Sequence, residues 1–299
     1  MKQVWTWQNM QIAWQVEGEE INSPIAIVLI HGFGASKDHW RLNQKSIGSK
    51  APCYALDLVG FGESSQPNSC LPYEKKTSQN FHYCFDNWSQ QVFDFCKEIV
   101  NKPVLLIGNS IGGVIALNTS NKLSKKCLGV VLIDCAQRTM DDKRLAEQSL
   151  LMRFFRPVIK TLVRQRLLST TLFTNAANPA FIEKILKVAY PSGSNVNEEL
   201  VDILFQPTQR KGAPEAFRGF INLFDDYLAP GLLEHFEKPV HLIWGEKDPW
   251  EPVKEAEKWS QKFECIKSLE IIANAGHCPH DEMPEKVNPI IEKIIQEAI

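Results

Sequence analysis

The chain has 299 residues, of which 44% are hydrophobic and 23% are charged. This balance is typical of a globular protein and excludes a disordered chain, because enough apolar surface is present to form a core. Lys and Arg number 33 against 35 Asp and Glu, which gives a net charge of −2. A protein that coats nucleic acid is therefore not expected, and no nucleic-acid partner is predicted.

The chain alternates between apolar runs and amphipathic segments. Alternating apolar residues at 5, 7, 12, 14 and 16 predict two strands that turn near Asn9. Continuous apolar runs, typical of strands buried on both faces of a parallel sheet, predict strands at 25–30, 53–58, 104–108, 128–133, 240–244 and 268–272. Helices are predicted at 85–100, 111–120, 253–263 and 285–299. This alternation predicts an α/β fold, a mostly parallel sheet with helices on both faces.

The segment from 136 to 231 departs from this alternation. It contains no convincing strand, and its apolar pattern predicts several helices separated at prolines 157, 179, 191 and 207. We therefore predict a helical insertion at residues 136–231 within a single α/β core formed by residues 1–135 and 232–299.

The first 20 residues contain three Trp and several Gln but no apolar signal-peptide core. The longest apolar runs are far shorter than the roughly 20 residues needed to span a bilayer. Neither a signal peptide nor a transmembrane segment is predicted, and the chain is expected in the cytoplasm. None of the eight cysteines forms a C-x-x-C pair, so buried, reduced thiols are expected.

The sharpest motif is Gly-Asn-Ser-Ile-Gly-Gly at residues 108–113, which has the pattern G-x-S-x-G. It follows a predicted strand and begins a predicted helix, the context in which this pattern forms a nucleophile turn. Gly108 and Gly112 avoid the clashes that a Cβ would make in such a tight turn. Ser110 is therefore the predicted nucleophile. The alternative is a glycine-rich turn in which the serine has no function.

A serine nucleophile needs a base, and His277 follows the last predicted strand at the sheet edge where ligands bind α/β proteins. His280 is the rival, three residues further on. The cluster of His277, Cys278, His280 and Asp281 also suggests a metal site, but its spacing matches no standard zinc pattern. No metal is predicted.

The base needs a carboxylate that holds its tautomer and stabilises its charged form. Asp248 follows the predicted strand at 240–244, and the order Ser110, Asp248, His277 is the one expected for a nucleophile turn of this kind. Asp134, at the end of the strand at 128–133, is the competitor for this role.

Negative charge on a substrate carbonyl oxygen needs hydrogen-bond donors. The backbone N–H of Ile111, next to the nucleophile, is one candidate. The other is the backbone N–H of Phe33, which glycines flank in the loop at 31–34. His31, in the same loop, is expected to be structural.

These motifs together resemble the α/β-hydrolase family over nearly the whole chain. The matching segments are HGFG (31–34), DLVGFGES (57–64), GNSIGG (108–113), WGEKDP (244–249) and NAGHCPHDEMPE (274–285). The resemblance implies the α/β-hydrolase fold, with the insertion at 136–231 as a helical lid over the sheet edge. The serine at 110 departs from the epoxide-hydrolase and haloalkane-dehalogenase branches, which have Asp there.

Within the family, GNSIGG, DPWEP (248–252) and GHCPHDEMPEKVNP (276–289) resemble the plastid and cyanobacterial branch of pheophytinase and chlorophyll dephytylase. That branch cleaves the phytyl ester of chlorophyll-type pigments, so the resemblance implies a serine esterase that needs no cofactor and acts on a small lipophilic ester. Two alternatives stay open. One is carbon–carbon bond hydrolysis or cofactor-free perhydrolysis by the same triad, and the other is a non-enzymatic ligand receptor.

The insertion also carries a local excess of positive charge. Between 143 and 187 there are nine Lys and Arg but two acids, interleaved with apolar residues. A basic amphipathic helix predicts contact with an anionic membrane surface, which the resemblance would make a thylakoid membrane. The alternative is a helix that turns its apolar side to the pocket and its arginines to water.

Overall fold

The computed structural model describes residues 2–299. Its strands are β1 (Gln3–Trp7), β2 (Met10–Glu17), β3 (Ala26–Ile30), β4 (Cys53–Leu56), β5 (Asn68–Ser69), β6 (Asn80–Phe81), β7 (Val104–Asn109), β8 (Cys127–Ile133), β9 (Val240–Gly245) and β10 (Ile266–Ile272). Its α-helices are α1 (Gln44–Gly48), α2 (Phe85–Phe95), α3 (Ile111–Leu123), α4 (Leu150–Arg164), α5 (Arg166–Ala176), α6 (Pro179–Ala189), α7 (Glu198–Phe205), α8 (Ala213–Ile221), α9 (Ala229–Leu233), α10 (Val253–Lys262), α11 (Pro279–Glu282) and α12 (Pro284–Ala298).

Eight strands form one sheet in the order β1-β2-β4-β3-β7-β8-β9-β10. The pairs β1 with β2 and β2 with β4 are antiparallel, and the other pairs are parallel. The predicted fold class is therefore confirmed. β5 and β6 form a separate two-stranded parallel pair.

Strand β3 explains why the core strands are apolar without alternation. Val28 and Ile30 pack into the hydrophobic cluster on one face of the sheet, and Ile27 and Leu29 pack into the cluster on the other. Because both faces are covered, each position of the strand needs an apolar side chain.

The structure differs from the sequence prediction at several elements, among them the following. The helix predicted at 85–100 is α-helical only to Phe95, continues as a wider π-helical turn at Cys96–Val100, and ends at Asn101 with φ of 46°. Strand β10 begins at Ile266, two residues earlier than predicted, and is only half-buried because it lies at the sheet edge. The pair β5 and β6 was not predicted, since two residues carry no alternation.

Residues 134–239 contain helices α4 to α9 and no strand. This agrees with a helical insertion between β8 and β9, and the exact division at 136 and 231 stays a prediction. No helix within residues 2–299 is both long and apolar enough to cross a membrane. All eight cysteines are free thiols, and every one except the half-buried Cys84 is buried.

Candidate active site

Ser110 occupies a strained turn between β7 and α3. Its φ of 54° and ψ of −120° lie in a region that residues with a side chain rarely adopt. The turn is held by the Ser110 N–H, which donates to the Ile133 carbonyl at 2.9 Å, and by the Ser110 carbonyl, which accepts from Gly113 at 3.0 Å and Ala136 at 3.1 Å. Anchored in this way, the strained backbone keeps the serine in one place.

Glycines permit the close packing around this turn. A Cβ on Gly108 would lie 2.2 Å from the Gly112 carbonyl oxygen, and one on Gly112 would lie 2.3 Å from the Ile30 carbonyl oxygen. Both obstacles are backbone atoms that cannot rotate away. Gly32 is tight as well, because its Cβ would lie 3.2 Å from Cβ of Ser110. The loop after β3 therefore approaches the serine directly.

His277 and Asp248 form a hydrogen-bonded pair. Nδ1 of His277 lies 2.8 Å from Oδ2 of Asp248. Oδ1 of Asp248 accepts from the backbone N–H groups of Trp250 at 2.8 Å and Glu251 at 3.0 Å. Burial opposes ionisation of Asp248, but the hydrogen bonds from His277 and the Trp250 backbone outweigh it and lower its pKa. An ionised Asp248 fixes Nδ1 of His277 as the protonated nitrogen and leaves Nε2 free to act as a base.

Asp134 lies behind this pair and does not hydrogen-bond to His277. Its Oδ1 accepts from the Gly245 N–H at 3.0 Å, and its Oδ2 receives no hydrogen bond from residues 2–299. Burial, with the neighbouring Asp248 carboxylate, raises the pKa of Asp134 well above its ordinary value. A raised pKa favours the protonated form of Asp134. The geometry favours Asp248 over Asp134 as the partner of the histidine.

The other two histidines weighed in the sequence face elsewhere. His280 is fully buried against Trp40, with ring centroids 4.4 Å apart, and burial keeps its pKa well below the ordinary value. Nε2 of His31 accepts from the Leu58 N–H at 3.1 Å, so its Nδ1 is the nitrogen that donates to the Gly32 carbonyl at 2.7 Å. Burial lowers the pKa of His31 to about 4. His31 therefore ties the loop after β3 to the β4 loop.

The metal cluster considered in the sequence is not assembled, because Asp281 instead bonds to Arg41 and to the Tyr190 hydroxyl. Within residues 2–299, the metal-type side chains that come together are those of Asp134, Asp248 and His277, whose ligand atoms lie within 4.8 Å of one another. The 2.8 Å contact between His277 and Asp248 has the length of a hydrogen bond. This group is therefore better described as a hydrogen-bonded acid–histidine array than as a metal centre.

Ser110 and His277 line one cavity of about 610 Å³. Phe33 and Ile111 line it too, and the backbone N–H of neither residue donates to an acceptor within residues 2–299. Both donors are thus available to an oxygen bound beside the serine.

Most of the residues that line the cavity are apolar, and helices α6, α7 and α8 contribute Phe181, Ile185, Leu204 and Phe220 among others. Helices α4 and α5 contribute no side chain to the wall. The polar lining groups outside the candidate triad are His39, Asn109, Arg138, Asp141, Tyr190 and Glu251. Burial raises the pKa of Glu251 to about 8.

Sequence reasoning missed two residues that position the histidine loop. Nδ2 of Asn109 donates to the carbonyl oxygens of Ile133 at 3.2 Å and His277 at 3.1 Å. Oε2 of the buried Glu282 accepts from the Gly276 N–H at 2.6 Å. Both residues lie within motifs identified in the sequence. Their roles could not be predicted, because their hydrogen-bond partners are backbone atoms whose proximity depends on the fold.

Comparison with known proteins identifies a matching family and several similar proteins. The family described as "Alpha/beta hydrolase family" matches residues 27–290. The chloroplastic pheophytinase of Arabidopsis thaliana is 24% identical over 90% of this chain, which spans 60% of that protein's length. The uncharacterized hydrolase YugF of Bacillus subtilis is 24% identical over 90% of this chain and 89% of its own. A thermophilic esterase from Thermogutta terrifontis superposes with a TM-score of 0.72 at 18% identity, covering 100% of this chain and 99% of that one.

Proposed function

The chain belongs to the α/β-hydrolase family, and on that premise we propose that it is a serine esterase acting on a lipophilic carboxylic ester. The observation that carries the proposal is the 2.8 Å hydrogen bond from His277 to Asp248, in the cavity that Ser110 lines at its strained turn. The candidate nucleophile, base and acid lie on three separate loops. The stability of the fold does not require these side chains to come together, which favours a catalytic role.

The chemistry follows from these positions. Nε2 of His277 takes the proton of Ser110 as the hydroxyl oxygen attacks the ester carbonyl, and the backbone N–H groups of Phe33 and Ile111 hold the resulting oxyanion. His277 then returns the proton to the leaving alcohol, which leaves an acyl group on Ser110. A water, deprotonated by His277, then attacks the acyl carbonyl, and the bond to Ser110 breaks as His277 returns the proton to the serine oxygen and the acid is released. Asp248 stays ionised and stabilises the imidazolium in both steps.

The substrate class follows from the cavity wall. A volume of about 610 Å³ lies within the range of roughly 300–1,000 Å³ typical of small-molecule sites. Its apolar side chains favour a hydrocarbon chain over a charged group. Similarity to a pheophytinase supports the phytyl ester of chlorophyll-type pigments as the specific substrate within this class.

The test is labelling by a fluorophosphonate together with turnover of p-nitrophenyl butyrate. Ser110→Ala should abolish both, whereas Ser194→Ala, at an exposed serine outside the cavity, should change neither. Labelling that persists in Ser110→Ala would contradict the assignment of the nucleophile. Labelling of the unaltered protein without turnover of any ester would instead favour carbon–carbon bond hydrolysis or perhydrolysis, and the absence of both would favour a receptor.

The pigment substrate needs a separate assay. Phytol release from pheophytin in detergent, measured for the unaltered protein and for Ser110→Ala, should depend on the serine. If simple esters are hydrolysed and the pigment is not, the esterase proposal stands and the phytyl ester is wrong.

A further inference from the structure

Helix α4 turns a row of apolar side chains to solvent. Leu150, Phe154, Val158 and Leu162 recur every four residues along one side of the helix, and all are exposed, Leu150 by 79% and Phe154 by 77%. Leu151 is exposed beside them. A surface helix in water normally buries its apolar side, so this arrangement indicates that something other than water covers the helix.

The opposite side of α4 buries positive charge. Arg156 is only 4% exposed, and its Nη2 donates to Oδ1 of Asp142 at 2.6 Å. Lys160 donates to both oxygens of Asp142 at 2.7 and 2.6 Å, and both cations lie over the Phe224 ring. These contacts fix the rotation of the helix. The alternative in which the apolar side of α4 faces the pocket is therefore wrong.

Helix α5 extends the apolar surface. Leu167, Leu168 and Leu172 are exposed, while Phe173 packs on Phe217 of α8 with ring centroids 5.3 Å apart. We use the term outer lid face for the exposed apolar side chains of α4 and α5, which are Leu150, Leu151, Phe154, Phe155, Val158, Leu162, Leu167, Leu168 and Leu172.

Between residues 143 and 187, four cations are exposed and have no carboxylate partner within residues 2–299, namely Arg153, Arg164, Lys184 and Lys187. The other cations between 143 and 187 are paired: Lys143 with Asp225, Arg144 with Glu147, Arg156 and Lys160 with Asp142, and Arg166 with Glu215. The charge available to an outside partner is therefore smaller than the sequence suggests, but it is positive and lies on the same helices as the exposed leucines, or on α6 directly after them.

We propose that the outer lid face docks on the surface of an anionic lipid bilayer. Apolar side chains on one side of a helix, flanked by unpaired Lys and Arg, are what insertion among acyl chains beside anionic headgroups requires. No helix of residues 2–299 spans a membrane, so the contact is peripheral.

The docked orientation bears on substrate entry. Helix α6 follows α5 after residues 177–178, and its Phe181 and Ile185 are both exposed and part of the cavity wall. Exposed residues of the cavity wall therefore lie on the helix that follows α5 in the chain. Delivery of a substrate from the bilayer rests on the proposed esterase function, whereas docking itself does not.

The test is co-sedimentation with vesicles of phosphatidylglycerol or of phosphatidylcholine. Phe154→Gln with Val158→Gln should weaken binding to phosphatidylglycerol about tenfold, since two apolar side chains no longer enter the acyl layer. The matched control is Val4→Gln with Ile271→Gln, two exposed apolar residues outside the lid, and it should bind as the unaltered protein does. Both pairs should retain turnover of p-nitrophenyl butyrate.

The charges are tested in the same assay. Arg153→Gln, Lys184→Gln and Lys187→Gln together should weaken binding roughly 100-fold at low salt, at about fivefold per charge. Lys125→Gln, Lys126→Gln and Lys254→Gln remove the same charge from exposed, unpaired sites outside the lid and should have little effect. Binding of the unaltered protein should fall as salt rises.

Three results would overturn the proposal: no binding to phosphatidylglycerol, equal binding to both lipids, or unchanged binding after the Phe154 and Val158 substitutions. Concentration-dependent dimers lost on those two substitutions, without vesicle binding, would assign the outer lid face to a second copy of the chain. Ser110→Ala should bind vesicles as the unaltered protein does, which separates failure of docking from failure of the esterase proposal.

Discussion

The backbone N–H of His277 donates to the carbonyl oxygen of Ala189, 2.9 Å away. Ala189 is the last residue of α6, so this bond joins the lid to the loop that carries the candidate base. Gly276 packs on the same carbonyl, and a Cβ there would lie 2.1 Å from its oxygen. Helix α6 therefore holds the position of the histidine loop as well as lining the cavity.

Gly276→Ala should reduce turnover far more than it reduces stability. The added methyl group must push the His277 loop and the end of α6 apart, which misplaces the imidazole relative to Ser110. Steady-state kinetics on p-nitrophenyl butyrate and urea unfolding measure the two effects. Gly231→Ala is the control, because a Cβ at that helical glycine meets nothing within 4 Å and should leave turnover unchanged. Equal turnover in both variants would contradict this coupling.

Asp248→Asn should lower kcat on the order of 10⁴-fold, as loss of the triad carboxylate does in serine proteases. Asp134→Asn should have a much smaller effect, because His277 hydrogen-bonds to Asp248 and the asparagine oxygen can still accept from the Gly245 N–H. Comparison of kcat for the two variants tests which carboxylate is the triad acid. A larger loss in Asp134→Asn would reassign the acid.

Glu251→Gln should flatten the pH dependence of stability. Burial raises the pKa of Glu251 from 4.5 to about 8, so between these values the folded protein holds a proton that the unfolded chain releases. The free energy of unfolding therefore falls as pH rises through this window. The Gln variant lacks this contribution. Its free energy of unfolding, relative to that of the unaltered protein, should therefore be higher at pH 8 than at pH 5.

Urea unfolding between pH 5 and pH 8 measures the slope. Glu264→Gln, at an exposed glutamate, is the control and should keep the slope of the unaltered protein. In the Glu251→Gln variant, Asp57 and Asp134, whose pKa values burial also raises, still contribute in the same direction. Identical slopes for the Glu251 variant and the unaltered protein would show that Glu251 is ionised in both states.

Ile185→Ser should weaken the preference for longer esters. Each methylene buried in the apolar cavity is expected to raise kcat/KM by up to about fourfold, until the cavity is full. Ile185 lines that cavity, whereas Val188 on the same helix is exposed and does not. A series of p-nitrophenyl esters from acetate to octanoate measures the dependence. Val188→Ser should keep it, and a flat series for the unaltered protein would contradict an apolar acyl site.

The parallel sheet could be predicted because burial on both faces leaves a mark in the sequence. Strand β3 is apolar at each position, and the hairpin of β1 and β2 turns at Gln8 and Asn9, whose φ values of 48° and 63° suit a tight turn. The π-helical turn at Cys96–Val100 could not be predicted, since the apolar spacing of α2 runs on through Ile99 and carries no sign of the wider turn.

Some features of the candidate site could likewise be predicted from the sequence, and others could not. Ser110 could be found from a local motif, whereas its partners depend on β9 and β10 being neighbours, with Gly245 opposite Ile272. The rotation of α4 was beyond the sequence, because periodicity defines an apolar side without saying what it faces. The positive charge between 143 and 187 therefore includes Arg156, although this side chain is buried against Asp142.

The rates at which the buried thiols react with alkylating agents measure how the structure opens. Burial raises the pKa of Cys53, Cys135 and Cys278 well above the ordinary value, and a thiol that stays protonated and covered reacts slowly with alkylating agents. Cys53 lies in β4 at the centre of the fold, so its alkylation reports global unfolding. Cys278 is next to His277, whose N–H donates to the Ala189 carbonyl. Faster alkylation of Cys278 than of Cys53 would therefore measure local opening of the His277 loop, separate from global unfolding.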